Sequence, residues 1–122
     1  MQENAVVARQ VTDAFEQSDF QTLDRLIADD VVWHEIGRSE PRRGKAALRE
    51  AAPGGGDYSI NASTHDILAS DEHAVVMVNA TATRGGRTFE YRTVEIYHIR
   101  AGQITERWAF SDDTARIAAF FA

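Results

Sequence analysis

Trp33-His34-Glu35 follows a β-branched pair, Val31-Val32, and runs into a charged loop that carries Pro41 and Gly44. An imidazole beside a carboxylate at a strand end either sits in water at the rim or reaches into a pocket and handles protons. A base that removes a carbon-bound proton must touch its substrate and titrate near the working pH. An imidazole starts close to that range, whereas a carboxylate needs desolvation to reach it. Strand alternation puts His34 and Glu35 on opposite faces, so at most one of them points into a hollow. Trp33 shares a face with Glu35. Which of the two faces in stays open from the local sequence.

A second candidate is Glu95, in the run Arg92-Thr93-Val94-Glu95-Ile96-Tyr97-His98-Ile99. Tyr91, Thr93, Glu95 and Tyr97 fall on one face and Val94, Ile96 and His98 on the other. Two tyrosines, a threonine and a glutamate suit the wall of a half-polar pocket. Buried without a partner, Glu95 is an acid candidate. Beside Arg107 or Arg92 it is a structural ion pair, or a group that orients His34. Further along, Arg107, Ala109 and Ser111 alternate with Trp108 and Phe110, so one set lines the hollow and the other packs elsewhere. Tyr91, Tyr97 and Phe110 are the expected walls, with Phe89 joining them if the register slips. Ser111-Asp112-Asp113 reads as the N-cap of a small terminal helix.

Other chemistries fit poorly. His65, His73 and His98 do not stand at metal-ligand spacing with each other or with His34, so no metal site is expected. The Gly54-Gly55-Gly56 run follows a helix and precedes a strand, the reverse of a phosphate-binding loop, and reads as a linker. There is no Gly-x-Ser-x-Gly elbow. With no cysteine, there is no thiolate nucleophile and no disulfide, which fits a reducing, cytoplasmic setting. The start lacks a basic stretch followed by an apolar run, so no signal peptide is expected. No apolar run is long enough for a membrane span. A net charge of -6 argues against a nucleic-acid partner. The short basic cluster Arg38, Arg42, Arg43 and Lys45 is either a solvated loop or an anion contact at the mouth of a cleft.

The elements that would position these residues are legible in outline. Val7, Val11, Ala14 and Phe15 form a stripe that predicts a helix over 4–17. Ser18-Asp19-Phe20-Gln21 resembles a capping box, with Ser18 as N-cap. It opens a short helix whose Phe20, Leu23, Leu26 and Ile27 point inward and which ends at Asp29-Asp30. A strand over 31–36 follows, then a loop, a helix over 45–52 and a stop at 53–56. Strands are expected over 58–69, 74–83, 88–100 and 103–110. Tight turns at Gly85-Gly86 and Ala101-Gly102 separate the last three. Helices first and consecutive hairpins afterwards predict one α+β domain over 1–122, with helices on one face of an antiparallel sheet.

At this point several motifs resemble a known superfamily. Ala28-Asp29-Asp30, the strand after it, and Ser39-Glu40-Pro41-Arg42-x-Gly44 leading into Ala46-Ala47-Leu48-Arg49-Glu50 resemble the bacterial ketosteroid isomerases. These belong to the nuclear transport factor 2-like superfamily of cone-shaped α+β barrels. Trp33-His34, Gly37-Arg38-Ser39, Gly102-Gln103-Ile104 and Asp112-Asp113 resemble its SnoaL-like branch, which includes polyketide cyclases.

The resemblance implies a strongly curved antiparallel sheet packed against N-terminal helices. In the isomerases, a carboxylate near the end of the first strand shuttles a proton. That place falls on Glu35, or on His34 if the Gly37-Arg38 step holds one extra residue; the SnoaL-like pattern favours His34. A second acid, which hydrogen-bonds the enolate oxygen, falls on Glu95. The late aspartate of the cyclases falls on Asp112 or Asp113. The tyrosine that the isomerases use as the other oxyanion donor falls on Val11, which cannot donate, so the steroid mechanism is incomplete. The expectation is therefore a cofactor-free acid–base enzyme, an isomerase, cyclase or dehydratase, acting on a small apolar or carbonyl-containing, polyketide-like molecule. The alternative is a non-catalytic ligand-binding or dimeric interaction module of the same fold. A homodimer is expected in either case.

Overall fold

The structure, a computed structural model, describes residues 2–50 and 57–122. The stop expected at 53–56 and the last residues of the helix expected over 45–52 lie outside the described residues. Helix α1 (Gln2–Gln17) is followed by α2 (Phe20–Leu26), strand β1 (Ile27–Trp33), a short β2 (Arg42–Arg43) and α3 (Lys45–Glu50). Four long strands come next: β3 (Tyr58–Ala69), β4 (His73–Arg84), β5 (Arg87–Arg100) and β6 (Gln103–Ser111). Helix α4 (Thr114–Phe121) closes the chain. The strand order is β2-β1-β6-β5-β4-β3. Strands β3 to β6 form an antiparallel meander, and β1 returns beside β6 in parallel. The result is the expected α+β architecture: helices on a curved, unclosed, mostly antiparallel sheet.

Two turns explain the meander. Gly85 and Gly86 both take positive φ, 57° and 78°, the geometry a two-residue hairpin of matching twist requires. The Ala101-Gly102 turn does the same with φ of 51° and 76°. Between these turns β4, β5 and β6 stay paired almost without interruption.

The first forty residues depart from the sequence reading in three ways. Ser18 does not cap α2. It takes φ 55° and closes α1, with the Asp19 N–H donating to the Ala14 carbonyl at 2.8 Å. Asp19 is the N-cap instead, accepting from the Thr22 N–H and, at 2.6 Å, from its hydroxyl. Phe20, expected inside, is 67% exposed. Finally, Ile27 ends the helix and opens β1, pairing with Ile104. Asp29 and Asp30 are exposed where the pairing slips between Ile27 and Val32, and β1 ends at Trp33 rather than Ile36.

Apolar burial gathers in two places on the inner face of the sheet. The larger cluster joins Val7, Val11 and Ala14 of α1 to Leu26, Val31, Trp33, Val76, Tyr97 and Ile104. The smaller one sets Ile117 and Phe120 of α4 against Ala82 and Phe89 of the β4–β5 hairpin, with Ile36, Tyr91 and Phe121 packed around. Along β5, Thr93 and Glu95 occupy the inward positions between the two clusters.

Helix α4 holds its place by its ends as well as its face. The Asp113 carboxylate accepts from the Arg116 N–H at 3.1 Å, and Arg84 donates to the carbonyls of Phe120 and Ala122. Asp113→Ala is expected to lower the unfolding free energy by roughly 0.5–2 kcal/mol, and Asp113→Asn to keep most of it. Urea denaturation measures both; an alanine variant as stable as the parent would remove the cap from this account.

Candidate active site

Glu95 lies at the centre of the inner face, and its two oxygens live in different surroundings. Oε1 accepts from the Tyr97 hydroxyl at 2.8 Å and meets Arg107 Nη2 at 3.2 Å. Oε2 has only Thr93 Oγ1, at 3.5 Å. The alternation of β5 puts all three partners within reach: Thr93 and Tyr97 flank Glu95 on the same face, and Arg107 follows from the pairing of Tyr97 with Arg107 on β6. The carboxylate is thus anchored firmly through one oxygen and only by a long contact through the other. Its side chain is 18% exposed and that of Arg107 13%. The sequence allowed Arg92 as a partner too; Arg92 lies on the outer face and takes no part.

Arg107 extends the network to β1. Its Nη1 donates to the His34 carbonyl at 2.9 Å, and its guanidinium stacks over the Trp33 ring, 4.7 Å from the centroid. Its Nε is buried and unpaired. Burial first, and the Glu95 charge second, hold the Tyr97 hydroxyl well above its ordinary value of 10.0. Tyr91 is raised for the same reasons in the same order, with Tyr58 adding a smaller effect. Tyr97 is therefore a donor, and Tyr91 stands further out, stacked on Phe89 at 5.2 Å.

His34 does not join this group. Trp33 pairs with Arg107 on the inner face, so its neighbour turns to the outer one. There the imidazole stacks on Trp108, with centroids 3.6 Å apart, and its Nε2 lies 2.9 Å from Glu106 Oε2. The expectation of an inward His34 is corrected by this register, and a proton relay from His34 to Glu95 is not built. Phe110, expected as a wall, also lies on the outer face, its ring parallel to that of Trp108 and the residue 54% exposed. Glu35 is held at the rim by Arg42 Nε at 2.6 Å. Asp113 is occupied in capping α4, away from Glu95. Val11 is fully buried in the larger core cluster beside Trp33 and Tyr97, beneath the site rather than in it.

The basic loop also resolves. Arg42 is taken up by Glu35, and Lys45 by Asp29 and Asp24. Its anion reading loses those two charges. Glu106 escaped the sequence reading, although the alternation Glu106, Trp108, Phe110 places it on the face that receives His34. A shallow, polar groove of about 530 Å³ crosses that outer face at Asn61, Asn79, Thr81 and Arg92. It lies on the other side of the sheet from the anchored carboxylate. Among the described residues, no group of three metal-ligating side chains gathers.

Comparison with known proteins agrees with this fold. No curated protein sequence matches the chain. Among solved structures it is similar to Bal32a, from a soil-derived mobile gene cassette, at 24% identity over 99% of this chain and 98% of that one, with a TM-score of 0.85. It is also similar to an LEH-like epoxide hydrolase of M. tuberculosis, at 21% identity over 98% and 92% of the two chains, with a TM-score of 0.76. IdmH of Streptomyces antibioticus, a proposed polyketide cyclase, is similar at 22% identity over 98% and 99%, with a TM-score of 0.74. These likenesses establish the fold. The SnoaL-like domain model matches residues 7–107, most of the length, and the chain belongs to the SnoaL-like domain family.

Proposed function

We propose that this single SnoaL-like domain is a cofactor-free, cytoplasmic enzyme that moves a proton by general acid–base catalysis on a small, mostly apolar carbonyl compound. Glu95 is the proton-handling group. The observation that carries this reading is the asymmetry of its carboxylate: Oε1 is fixed by Tyr97 and Arg107, and Oε2 is left for a substrate. A base fixed in one orientation spends no rotational freedom on reaching its proton. Tyr97 and Arg107 are positioning residues, and Tyr91 walls the entrance. Solved structures of similar fold include one described as an epoxide hydrolase and one as a proposed polyketide cyclase, which supports reading the chain as an enzyme.

One observation favours a second reading. Glu95 and Arg107 already pair with each other, and Val11 is buried in the core and supplies no donor, which supports a non-catalytic ligand-binding module as well. We further propose a homodimer through the outer face, where Val94, Trp108 and Phe110 lie side by side at 38%, 39% and 54% exposure.

Three measurements test these statements. Exchange of α-hydrogens for deuterium in a panel of small ketones, followed by NMR, is expected to run well above background with the parent protein. It should fall by roughly 10²–10⁴-fold in Glu95→Gln. A melting curve on the variant separates lost chemistry from lost fold. Full exchange by Glu95→Gln overturns the base; ligand binding without exchange by the parent selects the binding module.

The second measurement is alkaline stability. The folded chain keeps tyrosine protons that the unfolded chain releases near pH 10.0. Their contribution is complete below that pH and is lost as pH rises through the higher folded values. Tyr97→Phe should therefore flatten the alkaline limb of the stability profile and leave its neutral shape unchanged.

The third is oligomeric state. Phe110→Glu is expected to sediment as a monomer where the parent sediments as a dimer. A parent that is monomeric at high concentration removes the dimer.

A further inference from the structure

A second set of residues, on β5 and α4 and apart from Glu95, forms a slot of about 280 Å³ where the β4–β5 hairpin meets the last helix. Its floor is the stacked pair Phe89 and Phe120, with centroids 5.2 Å apart. Both rings are almost fully buried, at 6% and 8% exposure. Arg87 lies over Phe120, 5.4 Å from its centroid, and Arg116 over Phe89, 4.9 Å from its centroid. Ala119 and Thr88 complete the lining, which is mostly apolar.

The chemistry of a stacked guanidinium defines what this slot can take. A guanidinium held over a ring keeps N–H groups free at its outer edge, and an arginine fork grips a carboxylate or phosphate through two parallel bonds. Stacking also holds the side chain in place, so less freedom is lost when an anion arrives. Among the described residues neither Arg87 nor Arg116 has a carboxylate partner, and no acid lines the slot. Arg84, next to them on the hairpin, is by contrast committed to Asp57 and to the carbonyls that end α4. Two preset cations over a shared aromatic floor stand out on a chain of net charge -6.

We propose that this slot binds a small amphiphilic anion: a carboxylate or phosphate monoester whose head bridges Arg87 and Arg116 and whose carbon body lies along Ala119 and the edges of the phenylalanine pair. The site is independent of the proton-transfer reading, because its residues on β5, Arg87 to Phe89, stop six residues short of Glu95.

Titration of the intact protein with octanoate and with octyl phosphate, followed by NMR at the amides of Thr88 and Ala119, tests this. Both ligands are expected to shift these amides saturably. Binding should weaken at least tenfold in the double variant Arg87→Gln/Arg116→Gln, and further in Arg87→Glu/Arg116→Glu, with melting temperatures recorded for each. Octanol and inorganic phosphate, which carry the body or the head alone, should bind at least tenfold more weakly. Octanol binding as tightly as octanoate, or undiminished octanoate binding by the folded double variant, overturns the proposal. Cosedimentation with phosphatidylglycerol vesicles separates the sources of the anion. The protein is expected to stay in the supernatant, and sedimentation that depends on the two arginines would replace the small-molecule reading with a lipid surface.

Discussion

Arg107 is the residue on which the inner face depends. A guanidinium that is mostly withdrawn from water needs partners on every side, because an unpaired buried charge costs several kcal/mol. Here it takes the His34 carbonyl at the end of β1, the Glu95 carboxylate on β5 and the face of Trp33. One side chain on β6 therefore ties together both strands that flank it. The tie matters most at β1, whose parallel pairing with β6 is irregular and short. Lysine could not replace it, since a point charge on a flexible stem cannot hold a carbonyl and a carboxylate in one plane while stacking on an indole. Apolar burial supplies far more of the stability, at about 1.5–3 kcal/mol for each large side chain taken from water. It is indifferent, however, to where a carboxylate oxygen points. The aim of Glu95 is set by Arg107 and Tyr97.

The same constraint divides the chemistry between two faces. Once Trp33 packs against Arg107, alternation commits His34 to the outer face, and no side-chain rotation can bring it back through the sheet. The imidazole is then stabilised where it is, by a stacked indole and by Glu106. Arg107 is nonetheless bonded to the His34 carbonyl, so the two faces share a backbone link without sharing a proton path. The strand-end pair that looked most catalytic in the sequence is split, with Glu35 at the rim beside Arg42 and His34 outside. The central carboxylate comes from β5 instead.

What was legible in the sequence follows from how local each cause is. The Gly85-Gly86 hairpin, the two faces of β5 and Val7, Val11 and Ala14 of the α1 stripe depend on neighbours within a few residues, and they stand as read; Phe15, on the same stripe, is 44% exposed. The start of β1 depends on Ile104, far along the chain. Leu23, Leu26 and Ile27 keep helical spacing, so nothing local separates Ile27 from the helix that precedes it. Ser18 and Asp19 are both good cap residues, and the choice between them is made by how α1 ends, with Ser18 at positive φ. Opposite faces for His34 and Glu35 were readable from period two. Which face was inner required the register between Trp33 and Arg107. Phe110 failed for the same reason: it is aromatic, but it alternates with Arg107 in the wrong phase.

The site that results has a polar side and an apolar side. Donors and acceptors around Glu95 come from the sheet: Thr93, Tyr97 and Arg107. The facing helix contributes Val11 and Ala14, without a hydrogen bond to offer. Polar contacts on the inner face are therefore offered only from β5 and β6, and the helix side is apolar. Any developing negative charge would have to be met from the strands, where Arg107 supplies the fixed positive charge. Its two Nη groups are already engaged and its Nε is buried, so it acts on such a charge through the field rather than by direct contact.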